Sequence, residues 1–213
     1  EKKGIRFDKD ASELHNELRK ILPFKLTGAQ EKTIAEINSD MRSDRCMNRL
    51  LQGDVGSGKT VVAVHSMLTA IANGYQCAFM CPTEILAEQH FSTLTKMLEN
   101  LSVKVCLLIG GQRKKLRTEL LNDIKSGTYN IVVGTHALIQ EAVEFNNLGF
   151  VVIDEQHKFG VMQRARLKEK GLNPDVLVMT ATPIPRTLSL TYYGDLDVSI
   201  IDELPSNRIP VKT

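Results

Sequence analysis

The run Gly53-Asp54-Val55-Gly56-Ser57-Gly58-Lys59-Thr60 has the residue types and spacing of a phosphate-binding loop, Gly-x-x-x-x-Gly-Lys-Thr. Glycines let backbone amides curl round phosphate oxygens, a lysine reaches the outer phosphates, and the Thr60 hydroxyl can ligate magnesium. Further along, Asp154-Glu155-Gln156-His157 closes an apolar run. An aspartate there can hold the same magnesium, and the adjacent glutamate can orient or deprotonate an attacking water. The two segments together imply a site for a magnesium-bound nucleoside triphosphate, with a group aimed at hydrolysing it. Lys59, Asp154, Glu155, Gln156 and His157 are the catalytic candidates, and Thr60 and Asp154 the metal ligands.

These groups need a scaffold, and the flanking sequence supplies one. Asn48 to Gln52 reads as a strand entering the loop, and Val61 to Ile71 as a helix leaving it, closed by Asn73-Gly74. Phe150 to Asp154 has the continuous apolar character of a strand buried on both faces. Strands are also expected over Gln76 to Cys81, Val103 to Ile109, Asn130 to Gly134 and Val176 to Thr180. Helices are expected at about Glu84 to Leu98, with Ala87, Phe91, Leu94 and Leu98 on one stripe, and at about Gln112 to Ser126. Asp10 to Ile21 reads as a charged amphipathic helix, followed by a further helix with Thr27 at its cap. Strands alternating with helices predict an α/β fold with three layers and a mostly parallel central sheet, of the RecA-like P-loop type.

Composition agrees with one substantial core: 213 residues, 42% hydrophobic and 24% charged. No apolar run has the length of a bilayer span, and the first residues do not read as a signal peptide, so a cytoplasmic protein without a membrane role is expected. Cys46, Cys77, Cys81 and Cys106 lack metal-site spacing and read as reduced thiols, Cys77 and Cys81 within or beside a strand. A net charge of +2 does not announce a nucleic-acid partner. The basic run Arg113-Lys114-Lys115-Leu116-Arg117 fits a solvated helix face as well as a phosphate contact.

Further segments stand at intervals that composition does not explain: Leu26-Thr27-Gly28-Ala29-Gln30, Pro82-Thr83-Glu84-Ile85-Leu86-Ala87-Glu88-Gln89-His90, Gly134-Thr135-His136, and Thr180-Ala181-Thr182-Pro183. With the loop and acid box they resemble the first RecA-like motor lobe of superfamily 2 helicases, most closely the bacterial RecG family of branched-DNA helicases, from about Leu22 to Thr213.

The resemblance implies ATP and Mg2+ as cofactors, with Gln30 reading the adenine edge through its amide. Phe24 is either a stacking partner for that ring or a core aromatic. Pro82, Thr83 and Glu84, at a helix start, and Gly134, Thr135 and His136, at a strand end, would contact DNA phosphates; simple helix capping by Thr83 is the alternative. Thr180, Ala181 and Thr182 would couple hydrolysis to movement, their hydroxyls bonding Gln156 or His157, unless the segment is only a proline-broken turn. Lys158 departs from the family's usual arginine, which puts any bidentate contact there in doubt.

The resemblance further implies a monomeric bacterial enzyme acting on branched double-stranded DNA such as forks and four-way junctions. It implies an amino-terminal wedge domain and a second motor lobe that are not read in this sequence. Residues 1–21 are accordingly expected to be a linker helix from the wedge, and 22–213 the first ATP-binding lobe. Without the arginine of a second lobe, the isolated piece should turn over ATP poorly. The open alternatives are a transcription-repair coupling translocase, disfavoured by Gln156 where that family has a second glutamate, a P-loop ATPase that moves no nucleic acid, and a nucleotide-binding module that only docks a partner.

Overall fold

The computed structural model describes residues 3–154, 161–182 and 196–202. In chain order the elements are α1 (Ser12–Ile21), α2 (Gly28–Arg42), β1 (Asn48–Gly53), α3 (Lys59–Ala72), β2 (Gln76–Met80), α4 (Glu84–Leu98), β3 (Val105–Leu108), α5 (Lys114–Ser126), β4 (Ile131–Gly134), a 3-10 turn (His136–Ile139), β5 (Leu148–Asp154), α6 (Val161–Lys168), β6 (Asp175–Thr180) and β7 (Asp197–Ile201). The strands form one sheet in the order β3-β4-β2-β5-β6-β1-β7, and each pairing is parallel.

Side chains alternate across this sheet, and that alternation divides the core in two. Leu51, Cys77, Phe79, Ile131, Val133, Phe150, Val152, Leu177 and Met179 face one layer, with α1, α2, α3 and α4 packed on it. Leu50, Ala78, Met80, Val132, Val151, Ile153, Val176 and Val178 face the other, covered by Ile124 of α5, Leu138 of the 3-10 turn and Leu167 of α6. Burial on both faces explains why the central strands read as continuous apolar runs. The outcome is the expected three-layer α/β architecture.

The differences from expectation lie at the margins. The β3 strand is shorter than predicted because it pairs only with the four residues of β4. Before it, Val103 N turns back onto Leu101 O at 2.7 Å instead of joining the ladder. β7 and α6 were not predicted. β7 leaves Val198 and Ile200 exposed and buries only Ser199 and Ile201. It is secured by Ile201 in the core and by Ser199, whose Oγ accepts from Arg49 Nη1 at 2.8 Å and donates to Glu36 Oε2 at 2.6 Å, joining β7 to β1 and α2.

α1 docks on α3. Leu18 is buried, and His15 Nε2 lies 2.8 Å from His65 O and 3.0 Å from Thr69 Oγ1. The four cysteines are free, and burial pushes the Cys77, Cys81 and Cys106 thiols well up. Among the described residues no helix is long and apolar enough to cross a membrane, and no cluster of metal-ligating side chains forms by itself.

Candidate nucleotide and nucleic-acid site

Every motif singled out in the sequence, so far as it is described, sits at the carboxyl edge of the sheet or in the segment leading to it. In open parallel sheets that edge is where ligands bind. The strand order β3-β4-β2-β5-β6-β1 puts the segments after β4 (Gly134 to His136) and β2 (Pro82 to Glu84) on one half. Asp154 of β5, Thr180 of β6 and the loop after β1 occupy the other. β2 and β4 are neighbours in register, Met80 opposite Gly134, and Cys81 N donates to Gly134 O at 2.8 Å.

The phosphate loop takes its shape from two glycines. Gly56 (φ 78°) and Gly58 (φ 86°) lie in the left-handed region that other residues reach only with strain. Ser57 N closes a turn onto Asp54 O at 2.9 Å. Gly58 is the N-cap of α3, so Lys59 and Thr60 form the first residues of that helix, whose positive end favours an anion.

Lys59 Nζ donates to Gly53 O at 2.6 Å and to Asp54 O at 3.0 Å. Burial lowers its pKa, and the charges of Asp154 and Asp54 oppose that shift. A cleft of about 270 Å³ is lined by Val55, Gly56, Gly58, Lys59, Thr60, His90, Asp154, Met179 and Ala181. Lys59, Thr60 and Asp154 therefore share one concave site, although 94 positions separate Lys59 from Asp154 in the chain. A lysine, a hydroxyl and a carboxylate around a glycine-rich loop are the donor set that a triphosphate with a hard divalent cation requires. Among the described residues the buried Ser57 Oγ has no hydrogen-bond partner, which leaves one more polar atom at the loop.

Gln30 is tied into this loop. Its Nε2 donates to Ser57 O at 2.8 Å, and its Oε1 accepts from Thr27 N at 2.9 Å while Thr27 Oγ1 accepts from Gln30 N, a complete capping box. Gln30 is fully buried, so its amide is not open to a base edge in this conformation. Phe24 is half-buried and lines a separate cleft of about 420 Å³ with Arg19, Leu22, Pro23, Lys25, Leu26 and Glu31. Arg19 and Glu31 pair at 3.0 Å at its rim.

On the other half, Thr83 caps α4, accepting from Leu86 N at 3.2 Å. Thr83, Glu84 and His136 are exposed, whereas Gly134 and Thr135 are buried. A side chain at Gly134 would meet Leu108 O at 2.3 Å, so a glycine is needed where β3 and β4 run together. Thr135 caps the 3-10 turn. Thr180 Oγ1 accepts from Thr182 N at 3.2 Å and turns the chain beside Ala181 in the nucleotide cleft. Glu155, Gln156 and His157 lie outside the described residues, as does any bond from Thr180 or Thr182 to them.

Sequence reasoning assigned no role to His90. Its Nε2 lies 2.8 Å from Asp154 Oδ2, and its ring packs on Phe79 at 4.7 Å between centroids. The available signal was positional: His90 falls between Ala87 and Leu94 on the stripe that α4 buries.

A family model described as DEAD/DEAH box helicase matches residues 27–191. The chain belongs to the DEAD/DEAH box helicase family. Among curated relatives of this DEAD/DEAH lobe, the ATP-dependent DNA helicase RecG of Streptococcus pneumoniae is 59% identical over 192 residues, 90% of this chain and 28% of that protein. RecG of Thermotoga maritima is 51% identical over 213 residues, 100% of this chain and 27% of that protein. A solved structure of RecG bound to a three-way DNA junction is similar with a TM-score of 0.84 at 46% identity, covering 98% of this chain and 28% of that one. The DEAD/DEAH lobe thus spans little more than a quarter of the length of the relatives it matches.

Proposed function

We propose that this chain is the first, ATP-binding motor lobe of a DNA helicase or translocase that hydrolyses ATP to migrate and reverse branched DNA. The observation that carries the reading is the division of one sheet edge. Lys59, Thr60 and Asp154 converge in a single cleft, and the segments after β2 and β4 stand beside it on adjacent strands. The similarity to RecG, one structure of which holds a three-way junction, points to branched DNA as the substrate class.

In this reading the loop amides from Asp54 to Lys59 and the start of α3 receive the phosphates. Magnesium, held by Thr60 and Asp154, would neutralise charge on the phosphates as the terminal bond breaks. Lys59 leaves its carbonyl partners to share that charge. Glu155 orients or deprotonates the attacking water. Phe24 and Gln30 serve the base, and because Gln30 holds Ser57 O, a base-side movement is passed to the phosphate loop. Pro82 to Glu84 and Gly134 to His136 face DNA phosphates, while Gln156, His157, Thr180 and Thr182 couple the two halves. Residues 1–21 act as a linker from a wedge domain, and a second motor lobe completes the ATP site in a bacterial, cytoplasmic, monomeric enzyme.

The test is ATP turnover by the natural protein with and without a four-way DNA junction. The reading expects strong stimulation by the junction and its loss in Glu155→Gln. Turnover indifferent to branched DNA would favour a P-loop ATPase of another kind, and hydrolysis unchanged in Glu155→Gln would favour a docking module.

A further inference from the structure

We infer that His90 is a positioning residue for the hydrolytic centre, holding the Asp154 carboxylate and tying it to the helix that starts at the proposed DNA-facing end of β2. This rests on the reading of Lys59, Thr60 and Asp154 as a triphosphate and metal site.

An ionised carboxylate only accepts hydrogen bonds, so the 2.8 Å contact requires the hydrogen on His90 Nε2. That bond uses Asp154 Oδ2 and leaves Oδ1 for other work. The imidazole is itself held in place: its ring tilts at 41° against Phe79, which is fully buried on β2. Both side chains of the pair are largely shielded, 16% and 21% exposed. A carboxylate gripped by an oriented ring cannot swing freely. Such outer partners of metal ligands are worth about 10- to 100-fold in metal affinity or activity.

The placement gives the bond a second consequence. α4 leaves β2 at Thr83, and His90 stands six residues after Glu84, roughly 9 Å along the helix axis. Ala87, Leu94 and Leu98 on the same helix are buried in the core, so the intervening turns behave as a stiff lever. β2 is the direct neighbour of β5, and His90 reaches across that boundary to Asp154. A load on the exposed start of α4, at Thr83 to Ile85, therefore shifts the grip on the carboxylate. This link runs through α4 and is separate from the Thr180 to Thr182 segment.

The experiment compares His90→Leu, His90→Gln and Asp154→Asn in the natural protein. The readout is affinity for a fluorescent ADP analogue titrated without metal and then against increasing Mn2+. Leu fills the space without a donor, whereas Gln restores a donor at similar reach. The expected result is a metal half-saturation raised about 10- to 100-fold in His90→Leu, largely recovered in His90→Gln, with metal-free ADP affinity retained in both. Unchanged metal dependence in His90→Leu, with Asp154→Asn strongly impaired, would overturn the role of His90 alone. Loss of metal-free and metal-bound affinity in equal measure, unrescued by Gln, would also overturn it, since that marks a packing role. Unchanged metal dependence in Asp154→Asn would overturn the metal-site reading and this inference with it.

Discussion

Replacing His65 with leucine should remove about 2 kcal/mol of the acid sensitivity of this fold between pH 7 and pH 5. His65 is on α3, two turns beyond the phosphate loop, and is fully buried. Its Nδ1 lies 2.8 Å from Val61 O, and Nε2 has no partner among the described residues. Burial pushes its pKa from 6.5 down to about 4, assisted by the charges of His15 and Arg19 on the docked α1 and opposed by the Val61 carbonyl. Because the folded value is depressed, the unfolded chain takes up the proton first. The stability is complete above about pH 6.5 and drains away as pH falls toward 4. At pH 5 the imbalance is roughly one and a half decades, which gives the figure above at about 1.4 kcal/mol per decade.

Urea denaturation of wild type and His65→Leu at both pH values measures it, and the difference between the two proteins is the quantity that counts. Wild type should lose about 2 kcal/mol more than the variant on going from pH 7 to pH 5, or about 4–8 °C in thermal midpoint for a chain of this size. Equal losses, or a larger loss in the variant, would refute the reasoning. The consequence reaches function, because α3 carries Lys59 and Thr60 at its start.

Two further outcomes are expected. Asp175 is fully buried with Oδ1 accepting from Met47 N at 2.9 Å, and burial raises its pKa to about 8. The folded chain therefore holds that proton longer, stability is lost as pH rises from about 4 to 8, and the stability advantage of Asp175→Asn in urea denaturation should grow by about 3.5 kcal/mol between pH 5 and pH 8. In Gly58→Ala, the added carbon would lie 2.0 Å from Gln30 Nε2 at a φ of 86°. Left-handed strain of about 1–2 kcal/mol and the severed bond to Ser57 should lower nucleotide affinity about tenfold or more in a fluorescent-ADP titration.

The local parts of the site were legible in sequence because their geometry is local. Gly56, Gly58, Lys59 and Thr60 form a loop that needs only a strand before and a helix after, and the buried central strands announce themselves by apolar runs. Thr27 and Gln30 stand at capping-box spacing, so the start of α2 is also written in the chain. Pairings across the fold were not legible. Gln30 with Ser57 and His90 with Asp154 join residues 27 and 64 positions apart, and side-chain types alone do not say which strand ends become neighbours. β7 was missed because only Ser199 and Ile201 of its five residues turn inward, and Ser199 is held by the polar and charged groups of Arg49 and Glu36. The docking of α1 depends on histidines that would otherwise pass as surface residues.

The account stands on Lys59 and Asp154 serving one triphosphate and metal. A double-mutant cycle on fluorescent-ADP binding, with Lys59→Ala, Asp154→Asn and the pair measured with and without Mg2+, tests that directly. Lys59→Ala is predicted to weaken binding under both conditions, Asp154→Asn to abolish mainly the gain that Mg2+ brings, and the pair to be strongly non-additive when Mg2+ is present. Additive effects, or a Mg2+ gain untouched by Asp154→Asn, would contradict it.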